Sequence, residues 1–206
     1  MYKLKAYKAK DKEAVLDFID QHPFASITSC TQDGEYYATQ LPLLLRRTAK
    51  GLYLEGHLMR DTDHYRAFVH TKKVLVLFTG PHCYVSASWY KNPYSGSTWN
   101  YMSVQAKGSL QIMNDDDLLH FMDALTLKYE NHNASSPTYL KNLPDKYVRR
   151  LMPMIAGIRI KVDDLDHTFK LSQDKDKESF ANIIKALENA DAYSKLVAEE
   201  MLKLNK

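Results

Sequence analysis

The chain has 206 residues, 45% hydrophobic and 26% charged, with 28 Lys and Arg against 25 Asp and Glu and a formal charge of +3. These values exclude a disordered or fibrous chain and predict one folded domain with an appendage, or two small ones. The mild basic balance neither demands nor excludes a nucleic-acid partner, no apolar run approaches a membrane span, and no charged-then-apolar leader opens the sequence. Cys30 and Cys83 stand far apart without metal or redox spacing, which reads as two reduced thiols in a cytoplasmic protein.

In chain order, residues 10–21 read as a helix with Ala14, Val15, Phe18 and Ile19 on one stripe and Asp11 as cap, stopped by His22-Pro23. Residues 24–30 alternate as a strand, and Asp33-Gly34 is a hairpin turn. The return strand, 35–47, contains Pro42, which predicts a bulge or an edge position. Lys50-Gly51 turns into a strand over 52–56. Residues 61–70 read as a short helix with Tyr65, Phe68 and Val69 inward, and 73–79 as a continuous apolar strand. The stretch from residue 80 reads as strand, loop over 91–97, and strand, with 98–113 long enough for one strand or a bent pair; then comes a helix over 114–130 opened by Asp115, Asp116 and Asp117, whose charges suit the positive end of the helix dipole. Residues 131–144 are irregular, 146–152 helical, and 155–165 the last long strand. Two lysine-rich helices, 177–189 and 192–204, close the chain. Hairpin-joined strands with helices between them argue a mostly β, antiparallel barrel with peripheral helices. The boundaries predict a barrel domain over 1–170 and a C-terminal helical segment over 171–206, packed on the barrel or on a second copy.

Residues 80–108 hold both tryptophans, Trp89 and Trp99, with Tyr84, Tyr90, Tyr94 and Tyr101 set among Ser86, Ser88, Ser97, Thr98 and Asn100. Flat rings interleaved with short polar groups suit a planar, polar-edged ligand. An aromatic hairpin in a barrel core has the same composition. His57, His64, His70 and His82 lack metal-ligand spacing, so no metal is expected. Ser86 and Ser88 lack a GxSxG elbow, so triad hydrolysis is not expected either.

Several short words recur in order: His22-Pro23-Phe24, Ala38-Thr39-Gln40-Leu41-Pro42, Gly56-His57, Gly80-Pro81-His82, Ser86-Ala87-Ser88-Trp89-Tyr90, Thr98-Trp99-Asn100-Tyr101, Tyr129-Glu130 and Lys170-Leu171-Ser172-Gln173. On these words the chain resembles the PaiB-type FMN-binding negative transcriptional regulators, a branch of the FMN-binding split-barrel superfamily. It departs from the family's usual residues at Gln40 (histidine), Ala87 (proline) and Asp174 (asparagine); Asp61 also stands where asparagine is common.

The resemblance implies a split β-barrel, FMN as cofactor and a homodimer with the flavin between two subunits. His57 and Arg60, running from a strand into a helix start, are expected at the phosphate, with Arg60 outweighing Lys170. Thr39, Gln40 and Leu41 are expected at the polar edge of the isoalloxazine, with Ser86, Trp99 and Asn100 closing the site. Lys170 and Gln173 lie in a segment similar to the one other split-barrel flavoproteins bring to their cofactor. Asn100 is expected to be the ligand-side residue and Trp99 to pack at the edge, because neighbours on a strand face opposite ways. No catalytic residue is named. Two functions stand: a flavoprotein that senses or reduces a small molecule, which leaves flavin-dependent oxidoreductase activity open, or a DNA-binding repressor acting without a flavin. DNA is supported by no helix-turn-helix word, and lysines 175, 177, 185, 195, 203 and 206 are nearly balanced by acids.

Overall fold

Gly34 has φ of 89°, the left-handed backbone that the turn after Asp33 requires. It joins β1 (Phe24–Cys30) to β2 (Tyr36–Pro42), which pair antiparallel with Ile27 opposite Thr39. The predicted return strand is in fact two strands. β2 ends at Pro42, which has no N–H to give to a ladder, and the Leu43 N–H donates to Pro23 O at 2.8 Å. β3 (Leu44–Thr48) then pairs with β4 (Gly51–Met59).

The computed structural model describes residues 1–204, so Asn205 and Lys206, the end of the predicted C-terminal segment, lie outside the described residues. After α1 (Lys12–Gln21), β1–β4 and α2 (Asp63–His70) come β5 (Lys73–Val85), β6 (Thr98–Ile112), α3 (Asp115–Tyr129), α4 (Asp145–Leu151), β7 (Ile155–Lys170), α5 (Lys177–Glu188) and α6 (Ala192–Lys203). The seven strands form one sheet in the order β2-β1-β5-β6-β7-β4-β3. β5 and β7 run several residues past their predicted ends. The tail of β5 carries Gly80-Pro81-His82, where two successive buried residues, Gly80 and Pro81, shift the phase of the alternation so that Cys83 and Val85 face inward and His82 and Tyr84 outward. No helix among the described residues is long and apolar enough to cross a membrane.

Two compact units divide the chain. The central unit comprises Pro23–Leu77 and Ala106–Leu165; the terminal unit comprises Met1–His22, Phe78–Gln105 and the residues from Asp166 onward. In the central unit α3 lays Leu118, Phe121 and Leu125 into a core with Met113, and each such side chain contributes about 1.5–3 kcal/mol by burial. Its cap is Asn114, whose Oδ1 accepts from Asp117 N at 2.7 Å, so the three aspartates form the first turn rather than the cap. On α2, Ala67 and Phe68 are buried, while Val69, predicted inward, is exposed.

An ion cluster around one buried carboxylate ties α3 to the sheet. Glu55 on β4 is 5% exposed and accepts from Arg159 Nε, its register partner on β7, at 2.6 Å. Arg159 Nη1 and Nη2 donate to the two oxygens of Asp117 at 3.2 Å each. In the terminal unit the same cap word opens both last helices. Asp176 accepts from Ser179 N at 3.0 Å and Asp191 from Ser194 N at 3.1 Å, and each serine hydroxyl donates back to its aspartate. α5 and α6 then pack on each other, and Ile183, Leu187, Val197 and Met201 on them are buried.

Candidate functional site

In the central unit, the candidates Thr39, Gln40 and Leu41 lie on the last turn of side chains along β2. Thr39 is half-buried, and Gln40 is exposed with Nε2 donating to Ser26 Oγ at 3.3 Å. Leu41 is buried over Gly56 of β4. A Cβ at Gly56 would come within 2.4 Å of Leu41 Cδ1 and 3.1 Å of Pro42 O, so only glycine lets the end of β2 pass this close.

His57 follows Gly56 and therefore faces the other side of β4. Its ring lies 5.9 Å from that of Phe121 on α3, and its Nδ1 is buried without a hydrogen-bond partner. Burial pulls its pKa below the ordinary histidine value, so it stands as a neutral ring. The structure thus separates His57 from Leu41 rather than gathering them.

Arg60 is placed differently. Its backbone N donates to Met154 O at 2.9 Å, and its Nη1 donates to Tyr65 OH at 3.1 Å with the guanidinium 5.8 Å over the Tyr65 ring. Tyr65 sits in the first turn of α2, where Thr62 caps the helix by accepting from Tyr65 N. α2 packs against β2, so Arg60 and the strand carrying Thr39 and Gln40 belong to one locality. Among the described residues Arg60 has no carboxylate partner, which leaves most of its donor fork free for an anion.

The five candidates in the terminal unit are mostly committed to the protein itself. Ser86 opens a short 3-10 turn over Ala87–Trp89, accepting from Ser88 N at 3.2 Å. Lys170 donates to Thr98 Oγ1, and its ammonium lies 5.8 Å from the Tyr2 ring and 6.0 Å from the Tyr7 ring. Gln173 folds back on its own segment, accepting from Leu171 N at 2.6 Å and donating to Phe169 O at 2.5 Å. Asn100 is fully buried: Ser172 Oγ donates to its Oδ1 at 3.0 Å, and its Nδ2 lies 3.6 Å from Met201 Sδ.

Trp99, the neighbour of Asn100, turns outward and is 49% exposed. Its Nε1 donates to His82 Nδ1 at 3.3 Å, Tyr84 stands 6.2 Å away, and Tyr193 of α6 lies 5.7 Å from His82. These four side chains make an exposed group of rings that can stack a planar ligand or another protein surface. His82 and Tyr84 are not among the residues expected at the site from the sequence. Their spacing of two along β5 was the available signal. Tyr193, on a helix far along the chain, gave none.

Burial lowers the pKa of His22 and His167 as it does that of His57. The unfolded chain takes up these protons more readily, so stability is complete above about pH 6.5 and falls as pH drops through it. Hydrogen bonds from Lys73, Lys8 and Ser179 hold the carboxyls of Asp163, Asp166 and Asp176 below the ordinary carboxylate range, away from this window. The urea midpoint is expected to fall between about pH 7.5 and about pH 5.5, and His57→Leu is expected to shrink that fall. A midpoint flat across the window would show that these rings are solvated in the folded protein.

Residues 1–164 match the model of the family described as "Putative FMN-binding domain". The chain is 32% identical over 191 residues to the protease synthase and sporulation protein PAI 2 of Bacillus subtilis, covering 93% of this chain and 91% of that one. It is 27% identical to an uncharacterized protein of Emericella nidulans, covering 90% of each. Among solved structures, the FAD and heme binding protein of Mycobacterium smegmatis superposes with a TM-score of 0.61 at 19% identity, covering 84% of this chain and 78% of that one, a likeness of fold. A match over most of the chain, together with the seven-stranded antiparallel sheet, places this protein in the FMN-binding domain family of split-barrel proteins, with FMN as its cofactor.

Proposed function

We propose that this protein is a homodimeric flavoprotein in which FMN is bound between two copies and used to sense or reduce a small molecule. The observation that carries the reading is Arg60: a guanidinium held in place by Tyr65 at the start of α2, half-buried and without a carboxylate partner among the described residues. Such a fork matches the FMN phosphate, and the helix start adds the positive end of its dipole. Thr39 and Gln40 on the neighbouring strand offer hydroxyl, amide and backbone groups to the polar rim of the flavin. His57, neutral and turned onto Phe121, is left out of the phosphate contact. When bound, FMN supplies electron or hydride transfer; the side chains of this chain hold and orient it.

Titration with FMN, followed by flavin absorbance and fluorescence, tests the assignment. Arg60→Ala is expected to weaken binding by about tenfold to a hundredfold, the weight of one or two charge-assisted bonds. Lys170→Ala is expected to cost less, because its ammonium is already spent on Thr98 and two tyrosine rings. Equal affinity in wild type and Arg60→Ala would remove Arg60 from the site.

Large rings left half exposed, Trp99 with Tyr84 and Tyr193, favour a covering partner, and a second copy is the simplest one. Light scattering at micromolar concentration is expected to give the mass of a dimer. A monomer at every concentration would set aside the two-copy site.

A further inference from the structure

In the terminal unit a cavity of about 290 Å³ opens beside α1. Its floor is apolar and aromatic: Phe18, Met102, Phe169 and Leu171 are all buried, and the Phe18 and Phe169 rings stand 5.0 Å apart. His22 forms one wall, its ring 4.5 Å from Phe18, and burial together with the nearby Lys203 disfavours its charged form although Glu200 opposes them.

The charges at the mouth sort into spent and unspent. Lys8 is paired with Asp166 at 2.5 Å and donates to His167 O at 2.6 Å, and Lys203 is paired with Glu200 at 2.6 Å. Lys10 and Asp17 also line the cavity, and neither side chain has an ion-pair or hydrogen-bond partner among the described residues. One free cation and one free anion therefore stand at the mouth of a ring-lined cavity. Either charge alone would favour a ligand of the opposite sign. Together they favour one that carries both.

We infer that this cavity binds a small zwitterion with an aromatic ring, of the chemical class of an aromatic α-amino acid. The ring enters against Phe18, Phe169 and Met102, the carboxylate meets Lys10, and the ammonium meets Asp17. His22 stays neutral and offers one hydrogen bond from the wall. No flavin takes part, so the site stands apart from the reading of Arg60. A ligand seated here touches α1, β6 and β7 at once, which gives it a means to stabilise the terminal unit.

The test is calorimetric titration of the full-length protein with L-phenylalanine, phenylacetate, phenethylamine and glycine, each with and without FMN. L-Phenylalanine is expected to bind saturably and equally in both conditions. Phenylacetate and phenethylamine, each lacking one charge, are expected to bind about fivefold more weakly, the weight of one exposed ion pair, and glycine not at all. Lys10→Ala and Asp17→Ala should each weaken L-phenylalanine by about fivefold and leave FMN affinity unchanged, while Lys12→Ala, at the start of α1 and outside the cavity lining, should change neither. Absence of saturable L-phenylalanine binding would overturn the inference, as would equal binding of all four probes or unchanged affinity in both mouth variants. Loss of FMN binding in Arg60→Ala bears only on the flavin site, so the two readings fail separately.

Discussion

Arg159→Leu is expected to be the most damaging substitution in the central unit, lowering stability by about 3 kcal/mol. The Glu55 side chain beside it is only 6% exposed and takes its shortest ion-pair contact, 2.6 Å, from Arg159 Nε. Removing the guanidinium leaves a buried carboxylate facing leucine, and uncompensated buried charge costs about 3–5 kcal/mol. The lower end applies because Arg159 is itself 25% exposed, so water already screens part of the pair. Asp117, the other partner, is 39% exposed and is rehydrated at little cost. Arg46 stands 3.5 Å from Glu55 but is 56% exposed, and Arg46→Ala is expected to change stability by no more than about 0.5 kcal/mol. The double variant Glu55→Leu/Arg159→Leu should recover most of the loss, since an apolar pair leaves no orphaned charge. Urea unfolding of the three variants checks this. A loss below about 1 kcal/mol for Arg159→Leu would mean that Glu55 finds water or Arg46 instead.

The strands, the turns and the family were legible because each has a local cause. Asp33-Gly34 forms its turn through the backbone freedom of one residue, and Asp11 caps α1 through a hydrogen bond three residues long. The flavin-family words were legible as spelling alone, without knowledge of where each side chain points. Orientation is where the reading thinned. The sequence places His57 at the phosphate, by its position before a helix start, and Asn100 on the ligand side, by its polar amide among aromatic residues, but burial is decided by partners distant in sequence. Phe121 covers His57 from α3, and Ser172 and Met201 close on Asn100 from 72 and 101 residues away. Lys170-Leu171-Ser172-Gln173 shows the same effect. Three of its side chains hold internal bonds and Leu171 is buried, so a word that marks a cofactor family is here also a clasp within the terminal unit. Gln40 and Arg60 remain the candidates with donor capacity to spare, and both sit beside α2, a helix too short for its apolar pattern to announce which residues it positions.

Asn100→Leu is expected to lower stability by about 2–3 kcal/mol, and Trp99→Ala by no more than about 0.5 kcal/mol, an order that residue size alone would reverse. Asn100 is fully buried, and its Oδ1 is the acceptor for the hydroxyl of Ser172, itself 1% exposed. Leucine removes that acceptor and strands the hydroxyl in an apolar interior, which costs more than the bond itself contributes. Ser172 also holds φ at 61°, a left-handed backbone unfavourable for a non-glycine residue, so the bond to Asn100 helps to secure a strained turn. Trp99 faces outward at 49% exposure, and its loss removes one hydrogen bond to His82 and some ring contact. The expectation from sequence, with Asn100 on the ligand side and Trp99 packing at the edge, is therefore exchanged in our proposal: Asn100 keeps the turn and Trp99 is the residue free to meet a ligand or a second copy. Two readouts separate the cases. Chemical unfolding reports the clasp, and FMN titration of the folded fraction reports the ligand. If Asn100→Leu unfolds at the wild-type midpoint yet binds no FMN, the amide belongs to the site and the clasp does not depend on it. If Asn100→Leu is destabilised and Asn100→Leu/Ser172→Ala is less so, the stranded hydroxyl is the cause.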